Sequence, residues 1–208
     1  LCPHRCGIVS GHYGRCGVRL NQGGVLISEN YGMISAAHLD PIEKKPLFHF
    51  HPGKMIYSIG SVGCNLACKF CQNWEISQAE VGSKRVRLLE QSPKQVVRQA
   101  LSLVDMDNIG IAYTYNEPIV WYEFMLDCAK EAAKNGLKNV MVSNGYIEDA
   151  PLRKLLPHID AFNIDLKSFD DNFYKSITRA HLDPVLRSLK QIHASGKHLE
   201  VTFLVIPN

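Results

Sequence analysis

The sequence predicts an α/β fold in which parallel strands alternate with helices. From Met55 onward, short apolar runs rich in β-branched and aromatic residues alternate with segments of helical periodicity. The five runs are MIYSIGSV, NIGIAYTY, KNVMVS, IDAFNIDL and HLEVTFLVI. Repeated strand–helix units place their strands side by side in parallel, through right-handed crossovers. The repeat fits both an open, doubly wound sheet and an arc of a barrel, and periodicity does not choose between them.

The segments between the strands have the signals of helices. Ser92 and Pro93 are a typical N-cap and first residue for SPKQVVRQALSLVD. A longer helix is predicted from about residue 118 to residue 135, ended by Gly136. The sequences EDAPLRKLLPH and DPVLRSLKQIHASG predict two more helices, and the second of these ends at Gly196.

Residues 1–54 have a different texture, rich in Gly, His and Pro and without a helical period. The short apolar runs VLIS and MISAA, separated by glycine-containing turns, predict hairpins. We therefore divide the chain into a small Cys-rich β/loop region at 1–54 and an α/β core at 55–208. Because the chain opens on Leu1 and stops after a strand signal, we expect a fragment whose C-terminal part of the fold is missing.

Composition indicates an ordinary soluble protein, with 46% hydrophobic and 21% charged residues among 208. No stretch approaches the roughly 20 apolar residues of a membrane span. The net charge of +3 is mild and not gathered into a run, so we expect neither a nucleic acid nor a membrane partner. Seven cysteines, most of them in two tight clusters, favour metal ligation in a reducing cytoplasm over disulfides. Cys128 is most simply a core residue.

The most informative motif is GSVGCNLACKFCQNW, in which Cys64, Cys68 and Cys71 have the spacing C-x3-C-x2-C. Iron–sulfur cubes are usually held by four cysteines, so three would leave one iron open for a molecule that must bind and react. Gly63 would allow a sharp turn into the motif, and Phe70 would shield a cluster from water. The alternative is structural zinc, which usually takes four ligands, but no fourth Cys or His lies near in sequence.

Other polar candidates also follow predicted strands, where parallel α/β folds collect their chemistry. Each has a plain alternative explanation: a helix cap, a turn or a solvated ion pair. At a shared edge, Glu117 is a candidate for binding an ammonium group and Lys167 for binding a carboxylate. The candidates are Asn116 and Glu117 after the second strand, Ser143 and Asn144 after the third, Asp165 and Lys167 after the fourth, and Pro207-Asn208 after the fifth.

A second cysteine cluster lies at the start of the chain. Cys2, Cys6 and Cys16 have the spacing C-x3-C-x9-C, with His4 and His12 between them. This weaker signal predicts an auxiliary metal site that holds zinc or a second iron–sulfur centre. The alternative is a partly ordered segment with free thiols.

With GCNLACKFCQNW, YTYNEP, SNG and IDLK in this order, the chain resembles the radical S-adenosylmethionine (SAM) superfamily, and within it the relatives of pyruvate formate-lyase-activating enzyme. LCPHRC…GRCGVR, DPIEKKPLFHF and CQNWEISQ resemble the radical SAM member of the AmmeMemoRadiSam system. The resemblance implies a partial (β/α)6 barrel and a [4Fe–4S] cluster on Cys64, Cys68 and Cys71, with SAM on the fourth iron. It also implies reductive cleavage of SAM to a 5′-deoxyadenosyl radical that abstracts hydrogen, with an electron donor of the flavodoxin or ferredoxin type.

The resemblance further implies roles in binding SAM. Asn116 and Glu117 take the place of a glycine-rich segment that meets the methionyl amine, and Ser143, Asn144, Asp165 and Lys167 line the ribose and the methionyl carboxylate. The chain departs from the family pattern in three respects. Its Tyr-Asn-Glu-Pro sequence lacks the paired glycines, its N-terminal cluster lacks an upstream cysteine expected in the subgroup, and five strands are present where the family has six.

The leading hypothesis is thus a radical SAM enzyme of the cytoplasm that acts on a small molecule or on a protein. Within this class, one alternative is an activase that places a glycyl radical on a partner protein. A hypothesis from another class is a binding module with zinc knuckles and no catalysis. A third is a scaffold that keeps its cluster without turnover.

Overall fold

The computed structural model describes residues 1–205 of the chain. Its strands before residue 54 are β1 (Arg19–Gln22), β2 (Val25–Ser28), β3 (Met33–Ile34) and β4 (Ala36–Pro41). β1 and β2 form an antiparallel hairpin, so the hairpin predicted at VLIS is present. Its turn is Gly23-Gly24, and both residues have positive φ, which glycine adopts without steric cost.

The main sheet has the strand order β10-β9-β8-β7-β5-β4 within residues 1–205. The remaining strands are β5 (Met55–Gly60), β6 (Leu89–Glu90), β7 (Asn108–Tyr113), β8 (Lys138–Ser143), β9 (Ala161–Asp165) and β10 (His198–Thr202). β5, β7, β8, β9 and β10 pair in parallel, which confirms the five predicted strands. Their order follows the chain without reversal, and their carboxyl ends therefore meet at one edge, called here the carboxyl edge of the sheet.

One strand of the sheet comes from the N-terminal part of the chain. β4 pairs antiparallel with β5 in the register Ala36↔Gly60 to Pro41↔Met55. The predicted boundary at residue 54 therefore does not coincide with an edge of the sheet, and the two-domain division stays a prediction. β3, in the run MISAA, pairs with β6 rather than with β4.

The α-helices in the described part of the chain include the four that periodicity predicts and two short ones that it does not. They are α1 (Trp74–Ser77), α2 (Pro93–Leu101), α3 (Tyr122–Lys134), α4 (Asp149–Leu155), α5 (Asp171–Phe173) and α6 (Leu182–Ala194). Ser92 caps α2 as predicted, in a capping box with Gln95. The turn Pro118–Trp121 is a 3-10 helix, so α3 begins later than predicted, and Gly136 follows it with φ of 73°. Among residues 1–205, no helix is long and apolar enough to cross a membrane.

Apolar side chains bury both faces of the sheet, as a parallel sheet requires. Tyr57 and Ile59 of β5 lie in a core cluster with residues of α2 and α3. Ile56, between strand residues of the opposite face, packs instead with Ile42 and Leu47 from the segment after β4. The first 54 residues therefore also cover one face of the sheet.

A buried ionic network joins β4 to the loop that follows β7. The Lys45 ammonium lies 2.8 Å from the Asp40 carboxylate, and the Tyr115 hydroxyl donates to the same carboxylate at 2.6 Å. Lys45 Nζ also lies 4.6 Å from the centre of the Tyr115 ring. Burial alone would raise the pKa of Asp40, but hydrogen bonds from Lys44, Lys45 and Tyr115 hold that pKa well below its usual range. The network thus fixes the position of Tyr115, and with it the start of the segment that contains Asn116.

Replacing one member of this network should destabilise the fold strongly. Asp40→Asn would leave the Lys45 ammonium buried without its counterion, and we expect the free energy of unfolding to fall by about 3–5 kcal/mol. Urea denaturation measures this loss. The matched control is Asp107→Asn in the exposed Lys54–Asp107 pair, where a loss below about 1 kcal/mol is expected. Equal losses in the two variants would contradict the role of burial.

Candidate functional site

The predicted cluster motif lies in the cysteine loop, residues 61–73, which leaves the carboxyl end of β5. Cys64, Cys68 and Cys71 are free thiols and partly buried. Gly63 turns the backbone with φ of 87°, as predicted. A Cβ at Gly63 would stand 2.7 Å from the Cys16 carbonyl oxygen, so the turn admits only glycine without rearrangement.

Asn116 fastens the start of the cysteine loop to the end of β7. Its side-chain oxygen accepts the Ser61 N–H at 2.9 Å, and its side-chain nitrogen donates to the Gly63 carbonyl at 3.0 Å. At the other end of the loop, Asn73 donates to the Tyr115 carbonyl at 2.8 Å. The segment after β7 therefore holds both ends of the loop that carries the thiols.

A π-helical turn, Tyr174–Thr178, holds the middle of the cysteine loop from another side. The N–H of Ala67 donates to the Thr178 carbonyl at 3.0 Å, and that of Lys69 donates to the Ile177 carbonyl at 3.2 Å. Such wide turns occur frequently at functional sites. Sequence reasoning missed this turn, because no local signal in its residues distinguishes a π-helix from an ordinary helix end.

Glu117 ties the loop after β7 to the loop after β8. Its side chain is buried, and its oxygens accept the Ser143 hydroxyl at 2.7 Å, the Asn144 N–H at 2.8 Å and the Ile119 N–H at 3.0 Å. Burial raises the pKa of Glu117 to about 7, although these hydrogen bonds favour the charged form. The carboxylate is thus engaged with the protein itself.

Asn144 links the loop after β8 to the cysteine loop. Its side-chain nitrogen donates to the Asn65 side-chain oxygen at 2.8 Å and lies 3.8 Å from the Cys64 sulfur. Its side-chain oxygen accepts the Tyr146 N–H at 2.8 Å. The cysteine loop and the segments after β7 and β8 are therefore in direct contact with one another.

Asp165 and Lys167 follow β9 and form an ion pair of 2.7 Å. Burial lowers the pKa of Lys167, but the Asp165 carboxylate outweighs it, and the net shift is upward. Burial raises the pKa of the Cys68 thiol to about 11, a shift that the Lys167 charge opposes. Lys167 Nζ lies 5.9 Å from the centre of the Phe70 ring. The fourth candidate segment therefore also faces the thiols, while Pro207-Asn208 lies outside the described residues.

The donor set fits an iron–sulfur cluster. Three soft thiolates select zinc or iron–sulfur clusters, and the neighbouring Lys167 would offset negative charge. In residues 1–205, no three His, Cys, Asp or Glu side chains converge on a point where a single metal ion would be held. A cube presents a different iron to each thiolate, so its ligands need not converge in that way.

Comparison with known proteins assigns the family. Residues 58–208 match the radical SAM superfamily, and the chain belongs to it. This confirms the resemblance that the cysteine motif indicates. The family implies a [4Fe–4S] cluster and SAM as cofactors, and the thiols of the cysteine loop are the donor set that fits the cluster.

The curated relatives include activating enzymes. An uncharacterized protein of Methanocaldococcus jannaschii is 46% identical over all 208 residues, which is 60% of that protein. The pyruvate formate-lyase-activating enzyme of Clostridium pasteurianum is 25% identical over 151 residues, covering 70% of this chain and 59% of that enzyme. The chain therefore spans about 60% of the length of these relatives.

A solved structure shows the shared fold. Streptococcus suis SuiB bound to S-adenosylmethionine superposes with a TM-score of 0.52 at 16% identity, covering 70% of this chain and 32% of SuiB. At this identity the likeness concerns the fold alone.

The buried Glu117 predicts a pH dependence of stability. Its pKa is about 7 in the folded chain and 4.5 in the reference state, so the folded form holds an extra proton between these values. The group's contribution is full below about pH 4.5 and is lost as the pH rises through 7, amounting to up to ~3 kcal/mol. Glu117→Gln removes this titration.

Urea unfolding of both proteins at pH 5 and pH 8 tests the prediction. The stability of the wild type, measured relative to Glu117→Gln, should fall between these two pH values. Glu75→Gln, at an exposed position of α1, is the control and should follow the wild type. A constant difference between the wild type and Glu117→Gln would show that Glu117 does not titrate in this range.

Proposed function

We propose that this chain is the core of a radical SAM enzyme in which Cys64, Cys68 and Cys71 hold a [4Fe–4S] cluster. The observation that carries the proposal is that the segments after β7 and β8 contact the loop bearing these thiols, while Lys167, after β9, lies 5.9 Å from the Phe70 ring of that loop. When bound, the reduced cluster and SAM supply the electron and the 5′-deoxyadenosyl radical that abstracts hydrogen. The chain's residues hold, orient and shield these groups.

The sheet itself is proposed to be an arc of a (β/α)6 barrel. The five parallel strands follow one another in chain order, as in a barrel, whereas a doubly wound sheet reverses its order at a switch point. This order supports the barrel arc over the open alternative. We also propose that residues 1–54 form a Cys-rich region, although β4 within it joins the main sheet.

Lys167 is proposed to bind the methionyl carboxylate of SAM. Its ammonium is largely buried, keeps its charge through the Asp165 partner and acts electrostatically on Cys68. Asn116, Glu117, Ser143 and Asn144 are proposed to serve SAM binding mainly by positioning, because their side chains already bond to the loops around the thiols. We propose that backbone groups of these loops bind the methionyl amine and the ribose of SAM.

A glycyl-radical activase is the second candidate function. Relatives at 24–25% identity carry the names of activating enzymes for pyruvate formate-lyase and for (2S)-3-sulfopropanediol dehydratase. A protein substrate and an electron donor of the flavodoxin or ferredoxin type would then be the partners.

Within the superfamily, the N-terminal sequence motifs support a place in the AmmeMemoRadiSam subgroup. The free thiols of all seven cysteines suit the reducing cytoplasm.

Removing one thiol tests the cluster. Cys68→Ala should lose reductive SAM cleavage, measured as 5′-deoxyadenosine formed by the anaerobically reconstituted protein with dithionite. Cys128→Ala, which changes a buried thiol on α3, is the control and should retain the activity. Retained cleavage in Cys68→Ala would refute the cluster assignment. A zinc-bound, colourless wild type without cleavage would instead support the binding module.

Removing the lysine tests SAM binding separately from the cluster. Lys167→Ala should raise the dissociation constant for SAM about tenfold or more, because a charge-assisted hydrogen bond contributes ~1.5–3 kcal/mol. The iron content should not change. Lys175→Ala, which breaks the exposed pair with Asp171, is the matched control. Equal SAM affinities in both variants would show that Lys167 does not bind SAM.

A further inference from the structure

The first sixteen residues place three more cysteines around a small cavity behind the cysteine loop. The cavity has a volume of about 170 Å³, and its lining includes Cys2, Cys6, Cys16 and Asn65. The three cysteines are free thiols, and negative charge on Cys6 or Cys16 would act on Cys2. Asn65, the residue that follows Cys64, therefore borders the cavity of the N-terminal thiols.

Positive charge surrounds this cavity. Arg5, Arg15 and Arg19 also line it. Arg19 is only 9% exposed, and its two terminal nitrogens donate to Glu123. Its Nε is buried and has no hydrogen-bond partner among residues 1–205. A buried N–H of a charged group without an acceptor is costly, which indicates that an acceptor belongs in the cavity.

His4 is not the missing acceptor or a metal ligand. Its Nε2 lies 2.7 Å from the Asn65 carbonyl, and its Nδ1 lies 3.3 Å from a nitrogen of Arg15. Because arginine cannot accept a hydrogen bond, Nδ1 accepts and Nε2 donates. Both ring nitrogens are thus engaged, and His4 ties the N-terminal thiols to the cysteine loop. The other metal-ligating side chains that line the cavity are the three thiols.

We propose that Cys2, Cys6 and Cys16 hold a second iron–sulfur cluster. Thiolates select either zinc or iron–sulfur clusters. Three thiols that line one cavity among arginines suit an iron–sulfur cluster, whose negative charge these cations would offset. Cluster sulfurs carry negative charge and accept N–H groups, which is what Arg19 Nε lacks and what the arginines would balance.

The second cluster would stabilise the loop that carries Cys64. Cys16 is in contact with the turn at Gly63, and His4 binds the Asn65 carbonyl. Asn65 in turn accepts from Asn144, whose amide approaches Cys64. Metal held at the N-terminal trio would therefore fix the backbone on both sides of Cys64. The inference does not depend on SAM cleavage.

Metal analysis of the full chain tests the proposal. Wild type, a Cys2→Ser/Cys6→Ser/Cys16→Ser variant and a Cys64→Ser/Cys68→Ser/Cys71→Ser variant are reconstituted anaerobically with ferrous iron and sulfide. Iron, sulfide and zinc are then measured per chain. Each triple variant should retain about half of the wild-type iron and sulfide, and Cys128→Ser should retain all of it.

Two results would overturn the second cluster. One is wild-type iron content in the Cys2/Cys6/Cys16 variant, and the other is zinc in place of iron at these thiols. If the N-terminal variant does not fold, the Cys64/Cys68/Cys71 variant decides, because iron absent from it would equally refute the proposal. Failure of the proposed function would differ, since SAM cleavage or the iron of the Cys64/Cys68/Cys71 trio would be absent while the iron of the N-terminal trio remained.

Discussion

The buried carboxylate of Glu117 holds together the loops on which the candidate site depends. It accepts hydrogen bonds from Ser143 and Asn144 across the neighbouring strand, and Asn144 then reaches Asn65 in the cysteine loop. Burying a carboxylate with no cation in direct contact is costly, and the raised pKa of Glu117 expresses that cost. Three donors compensate for it only when both loops keep their positions. The site is thus preorganised by a polar connection within the protein.

Charge is distributed unevenly around the thiols. Lys167, held by Asp165, lies on the side of Cys68, while Arg15 and Arg19 line the cavity behind Asn65. An iron–sulfur cluster with thiolate ligands is anionic, and hydrogen bonds and nearby charge set its potential. The chain therefore places cations near its thiols, and two of these cations are paired with carboxylates, Lys167 with Asp165 and Arg19 with Glu123.

Much of this arrangement could be predicted from the sequence. The apolar runs predicted the five parallel strands, because a strand buried on both faces leaves a nearly continuous apolar signal. Position after a strand was enough to bring Glu117, Asn144 and Lys167 to one edge. The sequence could not predict the direction in which each of these side chains points. Asn116 was expected to meet a cofactor, but both ends of its side chain bond to the backbone of the cysteine loop, and only the register between β5 and β7 decides that. Likewise, the antiparallel β4 has no local signal that assigns it to the main sheet.

The π-helical turn at Tyr174–Thr178 restricts the cysteine loop in a way that composition does not reveal. Asn116 anchors the backbone at Ser61 and Gly63, and the turn anchors it again at Ala67 and Lys69. Because the anchored groups are backbone atoms, these hydrogen bonds restrict the length of the loop whatever side chains it carries. Adding or deleting one residue between two anchors would displace a thiol relative to the others. The loop is therefore constrained in length as well as in the identity of Gly63 and of its thiols, and we expect an insertion to fit only outside the anchored span.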